Sequence, residues 1–174
     1  MNRHWLALAR TEISHGNHEL STALASLVNE AEAALDDGPF TVTNKTRLPP
    51  SGEKHDYMSV GPYWWPNPET KDGLPYIRRD GQTNPEREAD ASDSKSMGQM
   101  VRATDTLAWA YYFTGHERYA ARATLLLRTW FLDKDTRMNP HLRYAQAIPG
   151  RVSGRGIGII DTVSLTKVVD AAGL

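Results

Sequence analysis

The sequence predicts an all-α fold whose helices are separated by two long loops, and three observations lead to that prediction. Apolar residues recur at helical spacing in several separate stretches. Two of these stretches are joined only by a short turn. The segments between the others carry prolines and glycines and keep no sustained period. We treat residues 1–174 as a single domain, because a chain of 174 residues with 40% apolar and 24% charged residues is typical of one globular domain.

The first long helix is predicted from His18 to Leu35. Its apolar residues follow the i, i+3, i+4, i+7 spacing of an amphipathic helix, and they are Leu20, Leu24, Leu27, Val28, Ala31 and Leu35. Gly38-Pro39 ends the helix, because glycine accepts the left-handed cap conformation and proline cannot continue a helix. A shorter helix is predicted before it, over Trp5–Ile13.

A helical hairpin is predicted in the second half of the chain. One helix starts at about Ser96, a turn follows at residues 114–117, and a second helix runs to about Phe131. Helices joined by so short a turn are antiparallel neighbours. A last helix is predicted to start near Asp161, which is an acceptable N-cap, and to continue through Val169. This helix has no partner hairpin after it, so we expect self-association through it.

The first long loop, residues 41–95, is the most informative segment. Disorder is the simplest interpretation of a loop of this length, but disordered segments are poor in aromatic residues. Residues 55–79 contain five aromatic rings, which favours an ordered and functional segment there. Residues 82–96 have no apolar anchor, and we expect them to be more mobile.

Aromatic rings and basic residues coincide in this loop. Flat rings stack on the apolar faces of sugars or bases, and cations bind carboxylate or phosphate, so the combination suits an anionic ligand that contains rings. The candidate binding residues of the first loop are Lys54, His55, Tyr57, Tyr63, Trp64, Trp65, Arg78 and Arg79. The second long loop, residues 133–158, adds Tyr144 and Arg155, with Asn139, Gln146 and Arg151 as further polar groups. The alternative interpretation is that the tryptophans fill gaps between helices while the basic residues are solvated.

Several classes of function are disfavoured by composition. A net charge of -1 gives no chain-wide positive field for nucleic acid. No apolar run approaches the roughly 18 residues that span a bilayer, and Arg10 and Glu12 interrupt the N-terminal apolar patch, so we expect no membrane contact and no signal peptide. Cysteine is absent and the six histidines lack ligand spacing, so we expect no metal and no cofactor.

Long motifs from about Ala31 to the C-terminus carry a family resemblance. They read NKTRLPPSGEKHDYMSVGPYWWPNP, DGLPYIRRDGQTNPE, ATDTLAWAYYFTGHERYA, LLLRTWFLDKDTRMNPHLRYAQAIPG and GRGIGIIDT. These motifs resemble the alginate lyase-like family of polysaccharide lyases. The resemblance implies the N-terminal portion of an incomplete (α/α) toroid with a groove for an anionic uronic-acid polymer. It also implies cleavage of alginate or glucuronan by β-elimination, in a periplasmic or secreted setting.

The resemblance also limits what this chain is expected to do alone. Family members supply the catalytic Asn-His pair and a tyrosine from later helices, and the one Asn-His pair here, Asn17-His18, lies elsewhere. We therefore assign no catalytic residue, and we expect the isolated chain to be incomplete for catalysis. Three other functions stay open: a non-catalytic carbohydrate-binding module, a helical-repeat scaffold (residues 104–131 are similar to tetratricopeptide arrays), and a hydrolase of similar toroid fold.

Overall fold

The structure is a computed structural model that describes residues 3–88 and 92–174. The chain is rich in α-helix, as the sequence predicts. The helices are α1 (Arg3–Ser14), α2 (His18–Ala34), α3 (Asp93–Thr114), α4 (Glu117–Phe131) and α5 (Leu165–Ala172). Three 3-10 helices span Val42–Asn44, Pro85–Glu88 and Gly156–Thr162. None of the helices in these two ranges is long and apolar enough to cross a membrane.

Two predictions fall partly outside the described residues. The predicted single domain includes residues 1 and 2, and the predicted first loop and its more mobile part include residues 89–91; these positions lie outside the described residues.

Helix boundaries agree closely with the local sequence signals. The Asn17 side chain accepts a hydrogen bond from the Leu20 amide at 3.1 Å and so caps the start of α2. Gly38, after the end of α2, has a φ of 77°, which is the left-handed conformation that glycine allows. α3 begins at Asp93, three residues before the predicted start, and α4 ends at Phe131 as predicted.

The described residues form two compact units, each built from separate stretches of chain. The first contains the residues up to Pro39, with Val101–Leu127 and Leu165–Leu174. Its buried side chains include Ala31, Leu107, Tyr119 and Leu126. The Tyr119 hydroxyl donates to the Glu32 carboxylate, so the α4 ring is tied to α2. In α5, Lys167 Nζ lies 3.2 Å from Asp105 Oδ2 of α3. α5 therefore contacts α3, and self-association through α5 stays a prediction.

The second unit contains Phe40–Met100 and Arg128–Ser164, as far as they are described. It holds four short strands: β1 (Met58–Val60), β2 (Trp64–Trp65), β3 (Ile77–Arg78) and β4 (Tyr144–Ala147). β1 pairs with β4 in parallel, with Met58 opposite Tyr144 and Val60 opposite Ala147. β2 pairs with β3 in antiparallel, with Trp64 opposite Arg78. The two long loops predicted from the sequence are therefore joined through the β1–β4 pair.

One element of the prediction is wrong in this unit. Asp161 does not cap the last helix: it lies inside the 3-10 helix Gly156–Thr162, and α5 begins only at Leu165. The physical reason is that its carboxylate accepts hydrogen bonds from Tyr57, Ser59 and Gln146, and these come from parts of the chain that are distant in sequence.

Candidate functional site

The two tryptophans of β2 are neighbours in sequence with different surroundings. Trp64 is half-buried and packs against the buried side chains of Val60, Tyr76 and Ile148. Trp65 is also half-buried, and its indole Nε1 donates to the Gln82 carbonyl at 2.9 Å. Packing holds the Trp64 indole and a hydrogen bond holds the Trp65 indole, while part of each ring stays accessible to solvent.

A guanidinium group lies over each of these indoles. Arg151 Cζ is 5.5 Å from the Trp64 ring centroid, and Arg79 Cζ is 5.4 Å from that of Trp65. Both distances are within the range of a cation–π interaction, which holds the cation in a defined place on the ring. Arg78 differs, because its Nε pairs with Asp80 Oδ1 at 2.7 Å and both side chains are well exposed.

Tyr76 connects the tryptophan strand to two charged groups. Its hydroxyl donates to Glu86 Oε2 at 2.5 Å, and the charge of Arg47 also acts on this hydroxyl. Burial, followed by the Glu86 carboxylate, raises the pKa of Tyr76 to about 12, although Arg47 acts in the opposite direction. Tyr76 therefore stays protonated at neutral pH and acts as a hydrogen-bond donor.

A polar network centred on Asp161 lies beside β1 and β4. The Asp161 carboxylate accepts from the Tyr57 hydroxyl at 3.1 Å, from Ser59 Oγ at 2.5 Å and from Gln146 Nε2 at 2.7 Å. Burial, and then the charge of Asp161, hold the pKa of Tyr57 far above its ordinary value. Because Tyr57 is fully buried, its hydroxyl positions Asp161 and its ring does not lie on an open surface.

Gln146 is hydrogen-bonded to both Asp161 and Arg155, and so it connects the Asp161 network to Arg155. Among the described residues, Gln146 is the one residue other than glycine that has a left-handed φ, which is 54°. Its main-chain oxygen accepts from Arg155 Nε at 2.7 Å, and its side-chain Oε1 accepts from Arg155 Nη2 at 3.0 Å. Gly61 leaves room for the guanidinium, because a Cβ there would lie 2.7 Å from Arg155 Nη2 and 2.8 Å from Trp64 Cδ1. The half-buried Arg155 is therefore held in one orientation next to Trp64.

A second polar group is centred on the buried Asp56. Its carboxylate accepts from Asn139 Nδ2 at 2.7 Å and Ser51 Oγ at 2.8 Å, and His141 Nε2 lies 3.0 Å away. Burial alone opposes ionisation, but these hydrogen bonds and His141 outweigh it and lower the pKa of Asp56. Nearby, His55 Nδ1 lies 2.7 Å from the Arg137 carbonyl. This group ties the first long loop to the second.

The arrangement provides oriented cations and partly open rings in the described chain. No group of three or more histidine, cysteine, aspartate or glutamate side chains that could hold a metal ion occurs within residues 3–88 and 92–174. The groups that are present suit an anionic sugar, because guanidinium groups donate two hydrogen bonds to a carboxylate and indole faces pack on sugar rings.

Comparison with known proteins places this arrangement in a family. The family model described as alginate lyase matches residues 41–174, which is most of the chain. The chain belongs to the alginate lyase family. A search of curated proteins finds no match.

A solved structure supports the same assignment. The crystal structure of an alginate lyase from Bacteroides ovatus matches with a TM-score of 0.88 and 48% sequence identity. The match covers 95% of this chain and 43% of that chain. This member of the alginate lyase family therefore spans less than half the length of that relative. The resemblance read from the sequence motifs is confirmed.

The structure of this alginate lyase family member separates the predicted site residues into groups. The β2–β3 pair carries or adjoins Tyr63, Trp64, Trp65, Arg78 and Arg79, and Arg155 and Trp64 both lie beside Gly61. Lys54 is exposed and its main-chain oxygen accepts from Lys45 Nζ of the same loop, whereas the half-buried His55 contacts the Arg137 carbonyl of the second loop. Within the described chain, no hydrogen bond, ion pair or ring contact joins these two to the tryptophans. Tyr57 and Tyr144 are buried and present no open ring, so we remove them from the expected contact set.

Three side chains of the site were missed or given too little weight. The sequence predicts a helix cap at Asp161, gives no signal for Arg47, and indicates Arg151 only as a polar loop residue. Their partners are far away in sequence: Tyr57 for Asp161, and Tyr76 for both arginines. Spacing along the chain carries no signal of such contacts. The GRGIGIIDT motif did mark the segment that contains Asp161.

Proposed function

We propose that this chain is part of a polysaccharide lyase that cleaves an anionic uronic-acid polymer of the alginate or glucuronan type. The observation that carries the proposal is membership of the alginate lyase family, together with 48% identity to an alginate lyase over 95% of the chain. The site fits such a substrate, because it combines oriented guanidinium groups with partly open indoles.

The role that we assign to this chain is substrate binding. Arg155 is the best oriented cation, since Gln146 holds two of its nitrogens. Arg79 and Trp65 form a second contact, in which the ring receives a sugar face and the guanidinium pairs with a carboxylate. Lys54 and His55 stay predicted contacts of the polymer at a separate place on the surface.

β-Elimination requires groups beyond these. A base removes the C5 proton of a uronate, the C4–O4 bond breaks, a C4–C5 double bond forms, and an acid protonates the departing O4. Neutralising the carboxylate acidifies the C5 proton, which is the task we assign to the site's arginines. The sequence lacks the expected Asn-His pair, and we propose that this chain alone does not complete the reaction.

A non-catalytic carbohydrate-binding module is the second candidate. The specific observation in its favour is that the ring and cation groups are present while the expected catalytic pair is not. The two candidates differ in one measurable property: only a lyase yields an unsaturated uronate.

The test compares the protein as its gene encodes it with the 174-residue chain. Both are incubated with alginate and with glucuronan, while the ultraviolet absorbance of the unsaturated product and polymer binding are followed. We expect product from the gene-encoded protein, and binding without product from the 174-residue chain. Binding without product from both overturns the lyase in favour of the binding module. No binding from either overturns both candidates.

Three further features belong to this proposal. We propose that the helical hairpins form part of an incomplete (α/α) toroid, that the protein works in the periplasm or outside the cell, and that α5 supports self-association. The first two rest on the family resemblance, and the third rests on Val169, which is 75% exposed on α5. Cell fractionation tests the location, and the Val169→Glu change combined with light scattering tests the association.

A further inference from the structure

A cleft of about 370 Å³ lies in the second unit, next to Trp64. Two segments of chain form its walls, residues 47–60 and residues 147–153. This volume falls within the roughly 300–1,000 Å³ of small-molecule sites. Apart from Arg151, the residues that line the cleft are not among the contacts predicted from the sequence.

The floor of the cleft is apolar. Met58 and Val60 of β1 and Ile148 after β4 line it, and these three side chains are buried. An apolar floor excludes a small inorganic anion as the best occupant, because such an ion gains nothing from apolar contact. It suits a ligand with an apolar face, such as the C–H face of a sugar ring.

One wall presents Arg151 in a fixed position. The Ile148 and Val152 main chains exchange hydrogen bonds of 2.9 and 3.0 Å, which closes a tight turn around Arg151. Arg151 Nε donates to the Tyr76 carbonyl at 2.8 Å, and its guanidinium lies over the Trp64 ring. The two terminal nitrogens of Arg151 make no hydrogen bond to another described residue, so they are available to a ligand.

The other wall presents a second cation, Arg47. It is exposed and lines the cleft, and its charge acts on the Tyr76 hydroxyl, which donates to the Glu86 carboxylate. Arg47 and Arg151 carry two positive charges and Glu86 carries one negative charge, so this part of the cleft has an excess of positive charge. The cleft therefore favours an occupant with one carboxylate and an apolar ring face.

We propose that this cleft is a subsite for one hexuronate unit of the polymer, with its carboxylate bound by Arg151 and Arg47 and its ring on the Val60–Ile148 floor. The proposal deepens the proposed function and rests on it. The same cleft discriminates against neutral sugars, because an uncharged ring leaves the two guanidinium groups without a partner.

The test titrates a mannuronate trisaccharide into the isotope-labelled 174-residue chain and follows the amide NMR signals. We expect the largest shifts at residues 47–48 and 150–153. The Arg151→Ala and Arg47→Ala changes should each weaken binding about 10-fold or more, because each removes a charge-assisted hydrogen bond. Arg143→Ala, an exposed arginine that does not line the cleft, is the matched control and should change affinity less than about 2-fold. Neutral mannotriose should bind at least about 10-fold more weakly than the uronate.

The outcomes distinguish a failure of the proposed subsite from a failure of the proposed lyase function. Unchanged affinity in both arginine variants, shifts confined to other residues, or equal binding of mannotriose overturns the subsite. If Arg151→Ala does not fold, the exposed Arg47 still provides the decisive variant. Absence of unsaturated product from the gene-encoded protein, with trisaccharide binding at residues 47–48 and 150–153 intact, overturns the lyase and leaves the subsite.

Discussion

At the scale of single residues, Gln146 illustrates how strain is used to orient a charge. A left-handed φ in a residue that has a Cβ costs roughly 1 kcal/mol. Here it lets the main-chain and side-chain oxygens of Gln146 accept from the same Arg155 guanidinium. Asp161 accepts a hydrogen bond from the Gln146 side-chain nitrogen, so a half-buried carboxylate helps to position the Arg155 cation through Gln146.

A buried ion pair provides the first prediction at this scale. Lys45 Nζ lies 3.1 Å from Asp93 Oδ2, and the two side chains are 1% and 2% exposed. Burial lowers the pKa of Lys45 and raises that of Asp93 to about 6, although each charge counteracts the shift of the other. Asp93→Asn should therefore lower the free energy of unfolding by about 3–5 kcal/mol, because the Lys45 charge loses its partner.

A double variant tests whether Lys45 and Asp93 are energetically coupled, and an exposed ion pair serves as the control. Lys45→Met combined with Asp93→Asn should cost clearly less than the sum of the single changes in urea unfolding at neutral pH. The exposed pair Arg78–Asp80 is the control, and removing its charges should cost less than about 1 kcal/mol. Additive costs for Lys45 and Asp93 would contradict a coupled buried pair.

At the scale of elements, the 3-10 helix Gly156–Thr162 carries Asp161 into the polar network. Its position depends on close packing against β4. A Cβ at Gly158 would lie 2.5 Å from the Ala145 Cβ and 3.1 Å from the Ala145 main-chain oxygen. Only a residue without a side chain fits there, so the distance between this helix and β4 is set by Gly158.

The second prediction follows from that contact. Gly158→Ala should lower the free energy of unfolding by about 1–3 kcal/mol, because the new methyl group forces the helix away from Ala145. Thermal or urea denaturation measures the change. Gly156→Ala in the same element is the control, since a Cβ there meets nothing within 4 Å, and it should stay within about 0.5 kcal/mol of the unchanged protein. Equal effects of the two changes would show that the contact with Ala145 is unimportant.

The elements also show which features a sequence predicts and which it does not. α2 and α4 were predicted within about a residue of their ends, because an amphipathic stripe and its caps are local signals. β1 and β4 were missed: each has four residues or fewer, and each exists only because the other, more than 80 positions away, pairs with it. The YWWP motif pointed to the ring and cation site, whereas the Arg47–Tyr76–Arg151 grouping depends on the fold alone.

At the scale of the whole molecule, the candidate chemistry is concentrated in one of the two compact units. The candidate ligand-binding side chains, the Asp161 network and the cleft belong to the second unit, which is assembled from two stretches of chain. The first unit is helical and joins residues from three stretches. Substitutions in the second unit are therefore the informative ones for function.

The charge of the whole chain makes the last prediction possible. A net charge of -1 gives no long-range attraction to a polyanion, so any affinity for polyuronate comes from local contacts with cations such as Arg79, Arg151 and Arg155. Raising the salt from about 0.05 M to about 0.5 M shortens the screening length severalfold and should weaken polyuronate binding about 10-fold or more. Calorimetry or fluorescence of the tryptophans measures this change. Mannotriose serves as the control, because binding of a neutral sugar should change little with salt. Affinity for polyuronate that is equally insensitive would mean that ring contacts alone hold the polymer, and it would contradict the role assigned to the arginines.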